Sequence, residues 1–156
     1  MLSLFRYNWQ VREDWFNWCE SLPEEEFHKV RIGGMKSIRE TLTHIIDCEL
    51  LWLNSLIDEK IVFERRQLLT HLCEIKEYST FVHSFTEQFI ERIPSDNENK
   101  LIEVQRRDGS ILEFTQKKIL AHMITHEIHH IGQLSVWARE IQRKPISSDL
   151  IIRSFE

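Results

Sequence analysis

The sequence contains very few of the residues that turn or interrupt a polypeptide chain. Its 156 residues include only four glycines and three prolines. Folds built from many short strands need turn residues at short intervals, so this scarcity argues against an all-β or α/β fold and favours a mostly helical one. The length suits one domain with its own core, and we expect a single domain over residues 1–156.

Three further features that the sequence lacks restrict the compartment in which the protein can work and the partners it can bind. The cysteines Cys19, Cys48 and Cys73 form no Cys-x-x-Cys pair, which argues against a disulfide framework and a thiolate zinc cluster. No apolar run approaches the roughly 18 residues of a membrane span, and the N-terminus lacks the apolar core of a signal peptide. A net charge of −5 argues against binding to phosphate backbones. The sequence therefore predicts a cytoplasmic protein whose partners are neither membranes nor nucleic acids.

Apolar residues at helical spacing predict four long helices, over about residues 7–21, 37–57, 67–93 and 115–142. Ser37-Ile38-Arg39-Glu40 matches a capping box and sets the start of the second helix. Between the third and fourth helices, residues 100–114 alternate in polarity around Asp108-Gly109, which predicts a β-hairpin with a type I′ turn. The predicted fold is all-α, a four-helix bundle with a small β-hairpin before the last helix.

Half of the eight histidines lie in one short stretch, AHMITHEIHHIGQ, at residues 121–133. His122, His126 and His130 form an i, i+4, i+8 ridge on the fourth helix, and two imidazoles four residues apart can hold one divalent metal ion. At about 100° per residue, His126 and His130 turn toward the apolar stripe, whereas His122, His129 and Gln133 lie nearer its edge. We therefore predict His126 and His130 as metal ligands. The alternative is a solvated row of histidines.

A metal site needs a ligand from another helix, because zinc, nickel and similar ions take at least three protein ligands. His44 on the second helix is the best candidate, on a ridge with Cys48 and Trp52. Glu49 projects into the apolar arc of that helix, which is unusual for an unpaired carboxylate, while Asp47 is expected to face outward. Glu49 has two open roles, to support a ligand histidine or to act as a base on metal-bound water.

Other conspicuous side chains have simpler interpretations. Cys48 is expected to pack in the core. His28, His71 and His83 have no partner pattern and are expected at the surface. The tryptophans are expected to belong to the core before any substrate pocket: Trp9, Trp15, Trp18, Trp52 and Trp137.

Residues 37–52 (SIRETLTHIIDCELLW) and 122–133 (HMITHEIHHIGQ) resemble the DinB/YfiT-like superfamily, named after DNA-damage-inducible bacterial proteins. The likeness extends over nearly the whole chain. It implies a four-helix bundle that binds one divalent ion, usually zinc or nickel, through His44, His126 and His130. The family often has arginine or lysine just before the Gly-Gln pair, where this chain has Ile131, so binding of an anionic substrate loses a nearby positive charge. Many members form homodimers, and we expect one here.

The resemblance also implies a metal-dependent enzyme. Relatives join low-molecular-weight thiols, such as bacillithiol or mycothiol, to electrophiles, or isomerise a substrate with the thiol as cofactor. Three neutral histidines leave coordination positions of the ion open and do not reduce its positive charge. A thiol bound to such an ion is expected to lose its proton near neutral pH. Glu49 or Gln133 is expected to orient the reactants or accept a proton. Two alternatives remain open, a metal-dependent hydrolase and a non-catalytic metal-binding stress protein.

Overall fold

The computed structural model describes residues 1–106 and 108–154, without the side chains of residues 95 and 96. Its α-helices are α1 (Leu2–Glu20), α2 (Glu24–His28), α3 (Ile38–Leu56), α4 (Leu72–Arg92) and α5 (Gln116–Glu140). Strands β1 (Leu101–Gln105) and β2 (Ile111–Thr115) form an antiparallel hairpin directly before α5. The predicted mostly helical fold, with its hairpin before the last helix, is confirmed. The arrangement of the long helices as one four-helix bundle stays a prediction.

The four long helices pack against one another, α3 against α4 and α5, and α1 also against α4 and α5. Burial of each large apolar side chain between them contributes about 1.5–3 kcal/mol. The expected tryptophans all lie in or against the two clusters of buried apolar residues: Trp9, Trp15, Trp18, Trp52 and Trp137. This packing sets α3 directly beside α5, the two helices that carry the predicted ligands. Within the described residues, no helix combines the length and apolarity needed to cross a membrane.

Capping residues set where the helices begin. The Ser37 hydroxyl accepts a hydrogen bond from the Glu40 amide at 3.1 Å, so α3 begins at Ile38 and the predicted cap is confirmed. The prediction that the third long helix begins near residue 67 is wrong. The Glu74 carboxylate accepts from the backbone amides of Thr70 and His71 at 2.7 and 2.8 Å, which starts α4 at Leu72. Residues 66–68 form a separate turn of 3₁₀ helix.

The first helix begins earlier than the predicted residue 7, because α1 starts at Leu2. Phe5 is buried in the apolar cluster next to the hairpin, one helical turn before Trp9, and the two rings lie 5.7 Å apart. The apolar face of the helix therefore extends to the start of the chain.

The hairpin loop differs from the predicted type I′ turn. A two-residue loop around Asp108-Gly109 would pair its two flanking residues, whereas Gln105 pairs with Ile111 and the Arg106 amide donates to the Ser110 carbonyl at 2.8 Å. The loop thus contains three residues, of which Arg107 lies outside the described part. Gly109 has a φ of 83°, the left-handed conformation that suits glycine in loops of this length. The prediction of the turn type is wrong, and the prediction of the hairpin is confirmed.

Candidate metal centre

Helices α3 and α5 bring three histidine side chains to one point. The Nε2 atoms of His44 and His126 lie 3.2 Å apart, and those of His126 and His130 lie 3.3 Å apart. One ring nitrogen from each histidine lies within 4.8 Å of the other two. The structure therefore assembles the three residues that the sequence singled out as ligands.

The spacing of these nitrogens fits a bound metal ion. Zinc binds histidine nitrogens at about 2.0–2.1 Å in tetrahedral geometry, which separates any two of them by about 3.3 Å. The rings are steeply inclined, 83° between His44 and His130 and 66° between His126 and His130, so their nitrogens converge and the rings do not stack face to face. A set of three imidazoles suits zinc, nickel and similar ions and leaves at least one coordination position open.

The surroundings of the three histidines favour the neutral imidazole that ligation requires. Burial lowers the pKa of His126 to about 4, helped by the neighbouring rings of His130 and His44. Burial also lowers the pKa of His44, opposed by the negative charge of Asp47. It lowers the pKa of His130 in the same way, opposed there by a hydrogen bond to Gln133. At neutral pH few protons need to leave before an ion can bind.

Gln133 is hydrogen-bonded to one of the candidate ligand rings. Its Oε1 atom accepts a hydrogen bond from Nδ1–H of His130 at 2.8 Å, which leaves Nε2 of that ring without a proton and directed at His126. Its amide nitrogen donates to Nε2 of His129 at 3.0 Å. This geometry is that of a residue that orients a ligand. A role for Gln133 as proton acceptor stays a prediction.

We expect Gln133→Leu to weaken zinc binding about 10–100-fold while the saturated protein still holds one ion per chain, because only the orientation of His130 is lost. Competition against a chromophoric chelator measures the affinity. Gln133→Glu should restore most of it, since a carboxylate accepts the same bond, and His129→Ala should have little effect. Equal affinities for Gln133→Leu and the unmodified protein would show that the contact does not support the site.

The two other histidines of the cluster lie beside the triad. His122 is exposed, with its ring 5.7 Å from that of His126 and edge-on to Trp52 at 5.1 Å. His129 is also exposed and is bonded to Gln133. Neither belongs to the group of ring nitrogens that converges within the described residues. They line the rim of the site.

The remaining histidines only partly match their predicted surface positions. His71 is exposed, and there the prediction is confirmed. His28 is half-buried at the end of α2. His83 is also half-buried, with 38% of its side chain exposed, and it stacks on Trp9 with 3.7 Å between ring centroids. Its pKa is lowered by burial.

Glu49 is buried and paired, as its position on the apolar face of α3 suggested. One carboxylate oxygen accepts from the Trp9 indole at 3.2 Å and the other accepts from Arg12 at 2.6 Å. Within the described residues, its carboxylate bonds to none of the three ligand histidines. The partners of Glu49 are therefore Trp9 and Arg12, and of its two open roles the one as a base on metal-bound water stays a prediction.

Arg12 joins Glu49 to a second buried carboxylate that sequence reasoning missed. Besides its bond to Glu49, the Arg12 guanidinium donates two hydrogen bonds to Glu127, at 2.8 and 2.7 Å, and one to the Ser79 hydroxyl at 3.2 Å. These contacts and the bond from Arg12 to Glu49 link α1, α3, α4 and α5 next to the candidate metal site, since Glu127 directly follows His126. Burial raises the pKa of Glu127, opposed by the Arg12 charge.

A signal for this cluster was present in the sequence. Glu127 lies four residues after Met123 and four before Ile131, on the apolar stripe of α5, as Glu49 does on α3. Arg12 interrupts the buried face of α1 in the same way, three residues before Trp15. Charged residues on apolar faces of different helices are expected to pair with one another.

Two neighbours of His44 on α3 complete the description. Asp47 does not simply face outward: it is half-buried, pairs with Arg66 through both carboxylate oxygens, and accepts a bond from the Tyr78 hydroxyl at 3.0 Å. Cys48 is buried as expected, and burial raises the pKa of its thiol to about 11. The thiol therefore stays protonated at neutral pH.

Comparison with known proteins shows the family of the chain. The sequence profile of the DinB family matches residues 1–154. The uncharacterized protein YizA of Bacillus subtilis (strain 168) is 38% identical over 159 residues, which covers 100% of this chain and 97% of YizA. Protein DinB of the same organism is 24% identical over 144 residues, covering 88% of this chain and 84% of that protein. The chain belongs to the DinB family.

Proposed function

We propose that this protein is a metal-dependent enzyme that activates a low-molecular-weight thiol for transfer to an electrophile. The observation that carries the proposal is the convergence of ring nitrogens from His44, His126 and His130, which supply three ligands and leave room for another molecule. The ion would be zinc or nickel, one per chain. The long helices that carry the site would form one four-helix bundle, in a single domain over residues 1–156.

The chemistry that a bound ion supplies is acidity: held by three neutral ligands, it keeps its charge and lowers the pKa of a thiol that reaches it. The chain contributes the arrangement. Burial keeps the imidazoles of His44 and His126 neutral, and Gln133 holds the proton of His130 on Nδ1, away from the ligand nitrogen.

Thiol activation suits this site better than hydrolysis. A free thiol already ionises with a pKa of about 8.5, whereas water requires a much larger shift and usually a base beside it. Glu49, which is one candidate for such a base, is engaged by Arg12 and Trp9 on both carboxylate oxygens. The contacts of the described residues therefore favour a reaction that needs no carboxylate base.

The rest of the proposal concerns the partners and the compartment of the protein. The partners would be a small-molecule thiol and its electrophilic acceptor. A reducing compartment, the cytoplasm, suits three free cysteines.

A homodimer is supported by the outer face of α5, where the apolar side chains of Ile128 and Val136 are 45% and 55% exposed. Light scattering of the purified protein tests the homodimer, and a monomer at micromolar concentration would contradict it.

The test of function uses zinc- or nickel-loaded protein incubated with bacillithiol or cysteine and a chloro-aromatic electrophile. We expect conjugation at a rate well above that of His126→Ala, which lacks a ligand, while His71→Ala, which removes an exposed histidine, behaves like the unmodified protein. Equal rates in the loaded protein and His126→Ala would reject thiol transfer for these substrates.

Cobalt-substituted protein separates the remaining alternatives. A change in its visible spectrum on addition of thiol would support an open position at the ion. A spectrum that responds to neither thiol nor azide would favour a non-catalytic metal-binding protein. Turnover of a panel of esters and amides without any thiol would favour a hydrolase.

A further inference from the structure

His44 faces a polar cleft of about 390 Å³ between the loop after α2 and the first half of α3. Its charged lining consists of Lys36, Arg39, Glu40, Asp47 and Arg66. We propose that this cleft binds a carboxylate group of the small molecule that reaches the metal, and that Lys36 and Arg39 recognise it. The inference rests on the proposed function in one respect, that a small molecule binds at the metal. The cleft itself is formed by residues of the chain and does not depend on that proposal.

The charges in the cleft leave an excess of positive charge. Asp47 and Arg66 neutralise each other through two hydrogen bonds. The Arg39 guanidinium donates to the Glu40 carboxylate only at the long distance of 3.4 Å, and it donates a second hydrogen bond to the Leu69 carbonyl at 3.0 Å. The cleft thus contains three cations against two carboxylates, beside a site built for another cation.

The Lys36 ammonium group is the cation of the cleft with no neutralising contact. It makes no hydrogen bond or ion pair with any side chain or carbonyl of the described residues, and the residue is exposed. A half-enclosed space that adjoins a metal site and presents an unpaired ammonium group is suited to an anionic ligand.

The backbone at Lys36 fixes the place of this residue in the loop. Lys36 has a φ of 71°, a left-handed conformation that is uncommon in residues other than glycine and that Gln142, with a φ of 57°, shares among the described residues. The conformation is held by the Arg31 amide, which donates to the Lys36 carbonyl at 2.6 Å, and by the Lys36 amide, which donates to the Gly33 carbonyl at 3.2 Å. A lysine therefore occupies a position whose backbone would suit glycine.

The loop is fixed against the metal site through Gly34. A Cβ atom added there would lie 2.7 Å from Oε1 of Gln133, the atom that holds His130, and 3.0 Å from the Trp137 ring. Trp137 also donates its indole N–H to the Ile32 carbonyl at 3.3 Å. The loop thus forms one wall of the site and carries Lys36 at a set place beside it.

This cleft also answers the expectation that anion binding would be weakened at Ile131. That side chain is buried, with 4% of its surface exposed, and packs in the core, so the position carries no charge toward a ligand. Lys36 and Arg39 supply positive charge to the cleft instead, from the loop and from α3.

The first experiment compares two thiols on cobalt-substituted protein, 3-mercaptopropionate and 2-mercaptoethanol, which differ in a carboxylate and a hydroxyl group. We expect the unmodified protein to bind 3-mercaptopropionate about tenfold more tightly, as a hydrogen-bonded ion pair predicts. Lys36→Met should remove most of this preference without changing the affinity for 2-mercaptoethanol or the metal content. Lys36→Arg should retain the preference.

Lys100→Met is the matched control, because Lys100 is an exposed lysine whose carbonyl accepts a bond from the first residue of α5, about 25 Å along that helix from Gln133. It removes the same charge far from the cleft and should bind both thiols normally. An equal affinity of the unmodified protein for the two thiols would overturn the proposal. A preference for 3-mercaptopropionate that remains in Lys36→Met and also in Arg39→Met would overturn it too.

A second measurement keeps the cleft separate from the thiol chemistry. If neither thiol alters the cobalt spectrum, the proposed function fails, and calorimetric titration of zinc-loaded protein with succinate then decides on the cleft. Succinate binding that is lost in Lys36→Met but kept in Lys100→Met supports the carboxylate site. Succinate that does not bind at millimolar concentration, or that binds Lys36→Met equally well, overturns it.

Discussion

Replacement of Arg12 by methionine is expected to lower the free energy of unfolding by about 3–5 kcal/mol, the largest loss of stability we expect from a single substitution here. Arg12 is 1% exposed and is the shared cation of Glu49 and Glu127, which are each 4% exposed. Methionine fills a similar volume but leaves two buried carboxylates without a positive partner. Urea unfolding followed by circular dichroism measures the loss.

Arg6→Met is the matched control on the same helix. Arg6 pairs with Glu87 and Glu91 at the surface, with 39% of its side chain exposed, and such pairs contribute about 0–1 kcal/mol. If Arg12→Met unfolds at the same urea concentration as Arg6→Met, the buried group of Arg12, Glu49 and Glu127 contributes little to the free energy of unfolding. Adding Glu49→Gln and Glu127→Gln to Arg12→Met should recover much of the stability, because the uncompensated charges are then removed.

The loss caused by Arg12→Met is also expected to depend on pH. Burial raises the pKa of Glu127 in the folded protein, so the folded state holds a proton more readily than the unfolded state, and stability falls as pH rises through that raised pKa. Removal of Arg12 takes away the charge that opposes this rise. The deficit relative to the unmodified protein should therefore be greater at about pH 8 than at about pH 5. A deficit that does not change with pH would contradict this prediction, because it would mean that the ionisation of Glu127 does not change between these two pH values.

The second large effect concerns metal content. We expect about one zinc or nickel ion per chain in untagged protein, and at least a hundredfold weaker binding in His44→Ala and in His130→Ala, because loss of a ligand should exceed the 10–100-fold loss caused by an outer contact. The two histidines lie on different helices and converge with His126 within 4.8 Å. Plasma mass spectrometry after dialysis gives the stoichiometry.

His71→Ala and His122→Ala are the controls for metal content, since both remove exposed histidines outside the triad. They should keep the ion. Full metal content in His44→Ala would show that α5 alone binds the ion, and loss of metal in His122→Ala would place that residue among the ligands. Unmodified protein that cannot be loaded with zinc or nickel would remove the basis of the enzyme proposal.

Much of the fold follows from patterns that are local in the chain. Helical periodicity, the Ser37 cap and the two alternating runs of the hairpin each involve residues within a few positions of one another, and all appear in the structure. The boundaries that failed are also set by contacts that are local in the chain, but the interpretation of the sequence did not use these contacts. The start of α4 is set by Glu74 bonding back to Thr70 and His71, and the hairpin loop by the pairing register of its strands.

For the candidate site, the sequence and the tertiary structure contribute different information. The sequence by itself determined that His126 and His130 share one helix face near the core, because residues four apart on a helix must do so. It also placed Glu49 on an apolar face, where a carboxylate needs a partner. Only the tertiary structure decided that this partner is Arg12, that Glu127 shares it, and that the loop with Lys36 lies against Gln133 and His44. Helical geometry fixes which residues share a face, whereas the choice of partner depends on which helices and loops pack together, and that information is spread over the whole chain.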